Sequence, residues 1–320
     1  MNRLASRARF LQNCSMPRVF AALLLFPVLL SAATYDRGAM IRSAIIYVAP
    51  DAKSSQLGQI HRGQELVVLE SSREWLHVTA ELGPEKTVTG WILGKGVIRA
   101  STPNGDRILY GEAVDSEDQA SRRGGRKGAG DDAARLYYRT SEYFPNSPLA
   151  PEALYRAADD KWQIEKDDIL SRPSAREQDP GLRGQMDDHW MKEVIKKYPA
   201  TKWADLAAFT LLDNKLCGDW EGTSKCPNKE SEMYEKYADD RPQSPAAPEA
   251  LYKAAWRRAA LVEIYKTEAE PKKYADAKSA SAALCQRILD KYAQSGYANR
   301  AQRLLYDLEQ EIPVYGNSLE

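Results

Sequence analysis

Histidine and cysteine are scarce in this 320-residue chain, with three of the first and four of the second. So few leave no material for a His-rich metal site or a dense disulfide scaffold. An excess of one charge sign is also missing, because 45 Lys and Arg face 45 Asp and Glu. That balance excludes a chain-wide basic footprint for nucleic acid. The chain has no Gly-x-Ser-x-Gly elbow, no phosphate-cradling Gly-Lys-Ser/Thr and no His-Glu-x-x-His. The sites built on those motifs are therefore not expected, and the reading is a non-enzyme with no cofactor and no metal. What remains is ordinary for a globular chain, at 43% hydrophobic and 28% charged residues. The length suits roughly two domains of about 150 residues.

No apolar run approaches the roughly 20 residues of a spanning helix. The longest, residues 19–30, contains Pro27, follows Arg3, Arg7, Arg9 and Arg18, and precedes Ser31-Ala32-Ala33. A positive front, an apolar middle and small residues at a cut point predict a secretory signal over residues 1–33. Met16 is an alternative start that would shorten its front. Cleavage leaves 41 basic against 45 acidic residues and no transmembrane span. No Cys follows the small residues, so the lipid-attachment pattern of bacterial lipoproteins is absent. The expectation is an exported protein, periplasmic or associated with the outer membrane from its periplasmic side.

Export changes how the cysteines read, since neighbouring pairs tend to close in an oxidising compartment. Cys217 and Cys226 bracket a turn-rich stretch and are either a disulfide or two loop thiols. Closing this ten-residue loop would stabilise the fold by about 2.7 kcal/mol in the chain-entropy model. A lone C-x8-C pair is a poor zinc match. Cys285 lies in an apolar helical pattern with Ile288 and Leu289, which predicts a buried thiol.

Residues 40–100 read as β-structure. Candidate strands are 44–48, 57–60, 65–70, 75–79 and 89–92, separated by turns at Pro50-Asp51, Arg62-Gly63 and Ser71-Ser72. Five short strands suit a small closed or nearly closed barrel. Gly63 and Gly90 fall at run boundaries, where a positive φ or a close backbone approach is useful. The strings Ile46-Tyr-Val-Ala-Pro-Asp, Leu57-Gly-Gln-Ile-His-Arg-Gly, Glu74-Trp-Leu-His-Val and Gly90-Trp-Ile resemble bacterial SH3 domains. The resemblance implies a small SH3-like barrel that binds peptide or cell wall. Tyr47-Val48-Ala49 stands where that family usually has Asn-Val-Arg. Tyr47, Trp75 and Trp91 are the candidate ligand-binding residues, and Trp75 and Trp91 either stack on a ligand or fill the core.

Residues 101–131 read as a flexible linker. Glu112 to Asp132 is short of large apolar residues and includes Arg122, Arg123, Arg126 and Lys127 among glycines. Those cations either contact anionic lipid or wall phosphate or are simply solvated. A coil of about 20 residues spans about 25 Å, which predicts variable orientation of the flanking modules.

Residues 132–311 are repetitive. The segment from Ser147 to Ala158 recurs from Ser244 to Ala255, with ten of twelve positions identical. A small-residue frame runs Ser147, Ala150, Ala153; Thr201, Ala204, Ala207; Ser244, Ala247, Ala250; and Ser295, Ala298, Ala301. Upstream of each frame stand Phe144-Pro145, Tyr198-Pro199, Arg241-Pro242 and Tyr292-Ala293. Pro disfavours helix in the residue before it, and Ser or Thr caps the next helix. The helix starts either at Pro148 and Pro245 or after Ala150 and Ala247. Four antiparallel hairpins follow, at 132–169, 184–216, 229–268 and 272–311, with an insertion at 170–183 and a tail at 312–320. The motifs around Phe144 and Tyr198 resemble tetratricopeptide-like repeats of BamD-type outer-membrane assembly lipoproteins and Tol-Pal-associated cell-division coordinator proteins. Frame spacings of 54, 43 and 51 residues exceed the usual 34.

The expected architecture is multidomain: a small SH3-like β-barrel followed by an all-α tetratricopeptide-like superhelix. Such stacks expose a long face for partner proteins. Tyr137, Tyr138, Tyr155, Trp162, Trp190, Trp203, Tyr252 and Trp256 divide between core and groove. Asp187-Asp188-His189 reads as a charged helix start, and Asp159-Asp160 and Asp167-Asp168 as a solvated face. The functional expectation is an envelope adaptor whose barrel binds cell wall or peptide and whose helices bind an envelope protein. The alternative is an accessory regulator or subunit of a peptidoglycan hydrolase.

Overall fold

The computed structural model describes residues 36–171, 186–217, 220 and 222–316. The segment 1–33, where a signal is expected, lies outside the described residues, as does most of the expected insertion at 170–183. The described chain begins with seven strands: β1 (Asp36–Met40), β2 (Ala44–Tyr47), β3 (Gln56–Ile60), β4 (Glu65–Ser72), β5 (Trp75–Glu81), β6 (Thr87–Leu93) and β7 (Val97–Arg99). They form one antiparallel sheet in the order β3-β2-β6-β5-β4-β1-β7. Alternation along the strands sets its faces. In β5, Leu76, Val78 and Ala80 point inward to meet Met40, Ile46, Ile60, Leu66, Val68 and Ile92 in a closed apolar core.

Two glycines are dictated by close approach. A Cβ on Gly90 would lie 2.5 Å from the Tyr47 carbonyl oxygen. Gly63 has a φ of +68°, and a Cβ there would lie 2.5 Å from the Cβ of Arg135 and 2.8 Å from the Leu136 nitrogen.

Nine α-helices follow among the described residues: α1 (Gly105–Ser121), α2 (Ala129–Tyr143), α3 (Ala150–Ser171), α4 (His189–Lys197), α5 (Lys202–Thr210), α6 (Lys225–Asp240), α7 (Ala247–Thr267), α8 (Pro271–Lys291) and α9 (Gly296–Glu309). Consecutive helices pack as α2/α3, α4/α5, α6/α7 and α8/α9, with α3 also meeting α4 and α7 meeting α8. Helices α2, α4, α6 and α8 end at Phe144, Tyr198, Arg241 and Tyr292, whose backbone N–H groups donate to carbonyls four residues back. The next helix opens on the small-residue frame. Ala150, Ala153, Ala204, Ala207, Ala247, Ala250, Ala298 and Ala301 are all buried, so neighbouring backbones come close.

The capping expectation needs correction. Thr201 accepts a hydrogen bond from the Ala204 N–H and caps α5. Ser147 and Ser244 lie before α3 and α7 and instead accept from Leu149 and Ala246 within the preceding turn. Ser295 precedes α9 with no side-chain cap bond. Helices α3 and α7 begin at Ala150 and Ala247, so Pro148 and Pro245 stay outside them.

The expected flexible linker is mostly helix α1. Its buried face is made of Gly105, Leu109, Ala113 and Ser116, too small to give an apolar signal but small enough to pack closely on α2. Ala39 and Ile98 of the sheet join Leu109, Ala113, Leu136 and Tyr137 in one apolar cluster. Around it Arg37 meets Glu142 at 2.6 Å, Arg42 meets Glu112 at 2.9 Å, and the Tyr143 hydroxyl donates to Glu65 at 2.8 Å. Arg135 donates from Nε to the Arg62 carbonyl at 3.0 Å. Sheet and helices thus share a core, and the described residues belong to one compact unit. The variable orientation expected from a tether does not hold.

The solvated reading of Asp159 and Asp160 needs correction. Both are half-buried on α3, and Asp160 Oδ2 is buried with no hydrogen-bond partner among the described residues. Burial first, then the neighbouring charges of Glu117 and Asp159, push the Asp160 carboxyl up to about 8.

Cys217 and Cys226 are joined by a disulfide with a Cα–Cα distance of 6.0 Å. It adjoins a buried ion pair in which Arg257 Nε donates to Glu230 at 2.7 Å, while the Cys217 N–H and the Trp220 indole also donate to Glu230. Cys285 is buried in the apolar core, which pushes its thiol up to about 12.

Candidate binding surface

The outward face of the sheet collects aromatic rings. Trp75, His77 and Thr79 alternate with the inward Leu76, Val78 and Ala80, so all three share the solvent side of β5. The register of β6 and β2 sets Trp91 opposite both His77 and Tyr47, and Leu93 opposite Trp75. The Tyr47 and Trp75 rings meet edge to face at 5.7 Å, and the His77 and Trp91 rings stack at 4.8 Å. All four side chains are half-buried. Val48 and Leu93 are exposed apolar neighbours at 55% and 43%. Glu70 on β4 lies opposite His77, its Oε1 3.6 Å from Nδ1. Farther along, the Thr79 and Thr89 hydroxyls bond at 2.9 Å.

Tyr47, Trp75 and Trp91 are therefore brought together, and the alternative that the two tryptophans fill the core fails. They alternate with the core residues Leu76 and Ile92, which puts them on the opposite face. Sequence reasoning passed over His77, although its two-residue spacing from Trp75 marks the same face.

Residues 42–98 match the family model of the bacterial SH3 domain. The match takes in β2 to β6 and most of β7, so the aromatic strip lies entirely within the matched segment. A search of the curated proteins finds no match. Among solved structures, a de novo designed helical repeat protein, DHR64, is 15% identical over 65% of this chain and 92% of its own, with a TM-score of 0.21. The DHF79 filament is 14% identical over 63% of this chain and 96% of its own, with a TM-score of 0.19.

The helices that follow the sheet place their aromatics in two ways. Tyr137, Trp162, Tyr252 and Trp256 are buried. Tyr138 stacks on Trp190 at 4.7 Å and Tyr155 on Trp203 at 5.4 Å, each pair half-buried and bridging alternate helices. Lys161 lies over Trp190 at 5.0 Å and Lys202 over Trp203 at 4.4 Å. Asp187 accepts from the backbone N–H of His189, and Asp188 pairs with Lys192, so the Asp187-Asp188-His189 group is engaged at the start of α4. Among the described residues, no helix is long and apolar enough to cross a membrane.

Proposed function

We propose that this chain is a non-catalytic adaptor of the bacterial cell envelope. Its SH3 domain binds peptide or peptidoglycan on the aromatic strip, and its helical stack holds an envelope protein. The observation that carries this reading is the cluster of Tyr47, Trp75, His77 and Trp91 on the solvent face of the sheet. Half-exposed rings with apolar neighbours are the usual makings of a contact surface. Export rests on the Arg-rich front and apolar run of residues 1–33. A role in outer-membrane assembly or envelope maintenance rests on the repeat motifs around Phe144 and Tyr198.

Sedimentation of the full chain with isolated peptidoglycan sacculi tests the reading. The chain is expected to co-pellet, and Trp75→Ala with Trp91→Ala to remain in the supernatant while keeping its helical circular dichroism. Equal pelleting of both forms would remove the strip from the account. Release of soluble fragments from the sacculi by the purified chain would overturn the non-catalytic assignment.

A further inference from the structure

Among the described residues, each ring of the strip pairs with one other ring, and the two pairs differ in geometry. The His77 imidazole lies 20° from parallel to the Trp91 indole at 4.8 Å, whereas Tyr47 and Trp75 meet at 87° and 5.7 Å. Cross-strand register explains the first pair, because His77 on β5 stands directly opposite Trp91 on β6. Trp91 is also opposite Tyr47, but the Tyr47 ring goes to Trp75 instead. The plane of Trp91 therefore depends on His77. That imidazole keeps 29% of its side chain exposed, against 60% for Glu70 on its other flank, 3.6 Å from Nδ1. Charges of both signs surround the strip, with Arg73, Glu74 and Lys95 exposed on turns at the Trp75 end. Its character comes from the rings rather than from one sign of charge.

A tryptophan on the open face of a sheet has two side-chain torsions, and freezing them when a ligand arrives weakens binding. An indole already stacked on one side has its plane set beforehand. We propose that His77 is the positioning residue of the strip: it holds the Trp91 indole stacked in the free protein, and the ligand meets Trp91 rather than the imidazole. The role lies in the stack, not in the ring nitrogens. This inference rests on the strip being the binding surface.

The test compares sedimentation of the full chain, His77→Ala and His77→Phe with isolated peptidoglycan sacculi. Phenylalanine keeps a ring against Trp91 and discards both nitrogens. His77→Ala is expected to bind about two- to tenfold more weakly, the cost of ordering one side chain on binding, and His77→Phe to match the wild type. In the free chain, the Trp91 indole N–H resonance is expected to shift and broaden in His77→Ala and to stay sharp in His77→Phe, with helical circular dichroism unchanged in both. Full binding by His77→Ala, or a Trp91 resonance that it leaves unmoved, overturns the positioning role while the surface stands. A loss in His77→Phe as large as in His77→Ala also overturns it, because the imidazole nitrogens would then make the contact. No pelleting of the wild-type chain overturns the surface and the positioning role together.

Discussion

Replacing Asp160 by asparagine should make the protein more stable, and more so as the pH rises. Its Oδ2 is buried on α3, and burial together with the charges of Glu117 and Asp159 outweighs the opposing charge of Arg156, so the folded state holds its proton up to about pH 8. The unfolded chain releases that proton near 3.8. Folding therefore takes up a proton between those limits, and stability falls as the pH climbs through the window. One such group costs up to about 1.4 kcal/mol per pH unit, or about 2.7 kcal/mol between pH 5 and pH 7. Below about pH 4 the carboxyl is protonated in both states and the cost vanishes. Asparagine keeps the shape and removes the titration. Urea unfolding of both forms at pH 5, 6, 7 and 8 checks this. The variant is expected to gain about 1–3 kcal/mol at pH 7 and to show a flatter pH profile. A gap that stays constant with pH, or a variant less stable at pH 8, would refute the burial argument.

Other consequences follow from the same structure. Gly63→Ala forces a positive φ on a residue with a Cβ and drives it into the α2 backbone. A loss of about 2 kcal/mol or more in chemical denaturation is expected. Glu230→Ala leaves Arg257 buried without its counter-charge and should cost about 3–5 kcal/mol in the same assay. Cys217→Ser together with Cys226→Ser opens a ten-residue loop, for an expected loss of about 2.7 kcal/mol under non-reducing conditions that vanishes when both forms are reduced. A fragment limited to residues 132–311 lacks Leu109, Ala113, Ala39 and Ile98 against Leu136 and Tyr137. It should show a lower and broader thermal transition than the full chain by circular dichroism.

Strands β2 to β6 were legible because apolar residues alternate between turns that Pro, Gly and Ser announce. β1 was not, since Asp36-Arg37-Gly38 carries no such alternation, and β7 is only three residues long. The helix pairs from α2 onward were legible through the repeated frame, whose alanines mark close packing wherever they recur. Helix α1 escaped because Leu109 and Ala113 are its main buried apolar residues, and its acidic, Gly-bounded composition imitates a linker. Asp159 and Asp160 look solvated because adjacent acids on a helix carry no sign of the neighbours that half-bury them, and the charge of Glu117 on α1 reaches both. Tyr47, Trp75 and Trp91 could be named from sequence, but their side of the sheet could not. Alternation reveals two faces, and only the packed partners decide which one is dry.

Gly63 has the last consequence. With no side chain on Gly63 to hold the turn before β4 off α2, and with Ala39 and Ile98 packed among helical residues, sheet and helices are joined through one core. Whatever grips the rings also sets the bearing of the helices, as a bracket bolted to a wall fixes the shelf it carries. A protein seated on the stack would then be held at one height and one angle above its anchor.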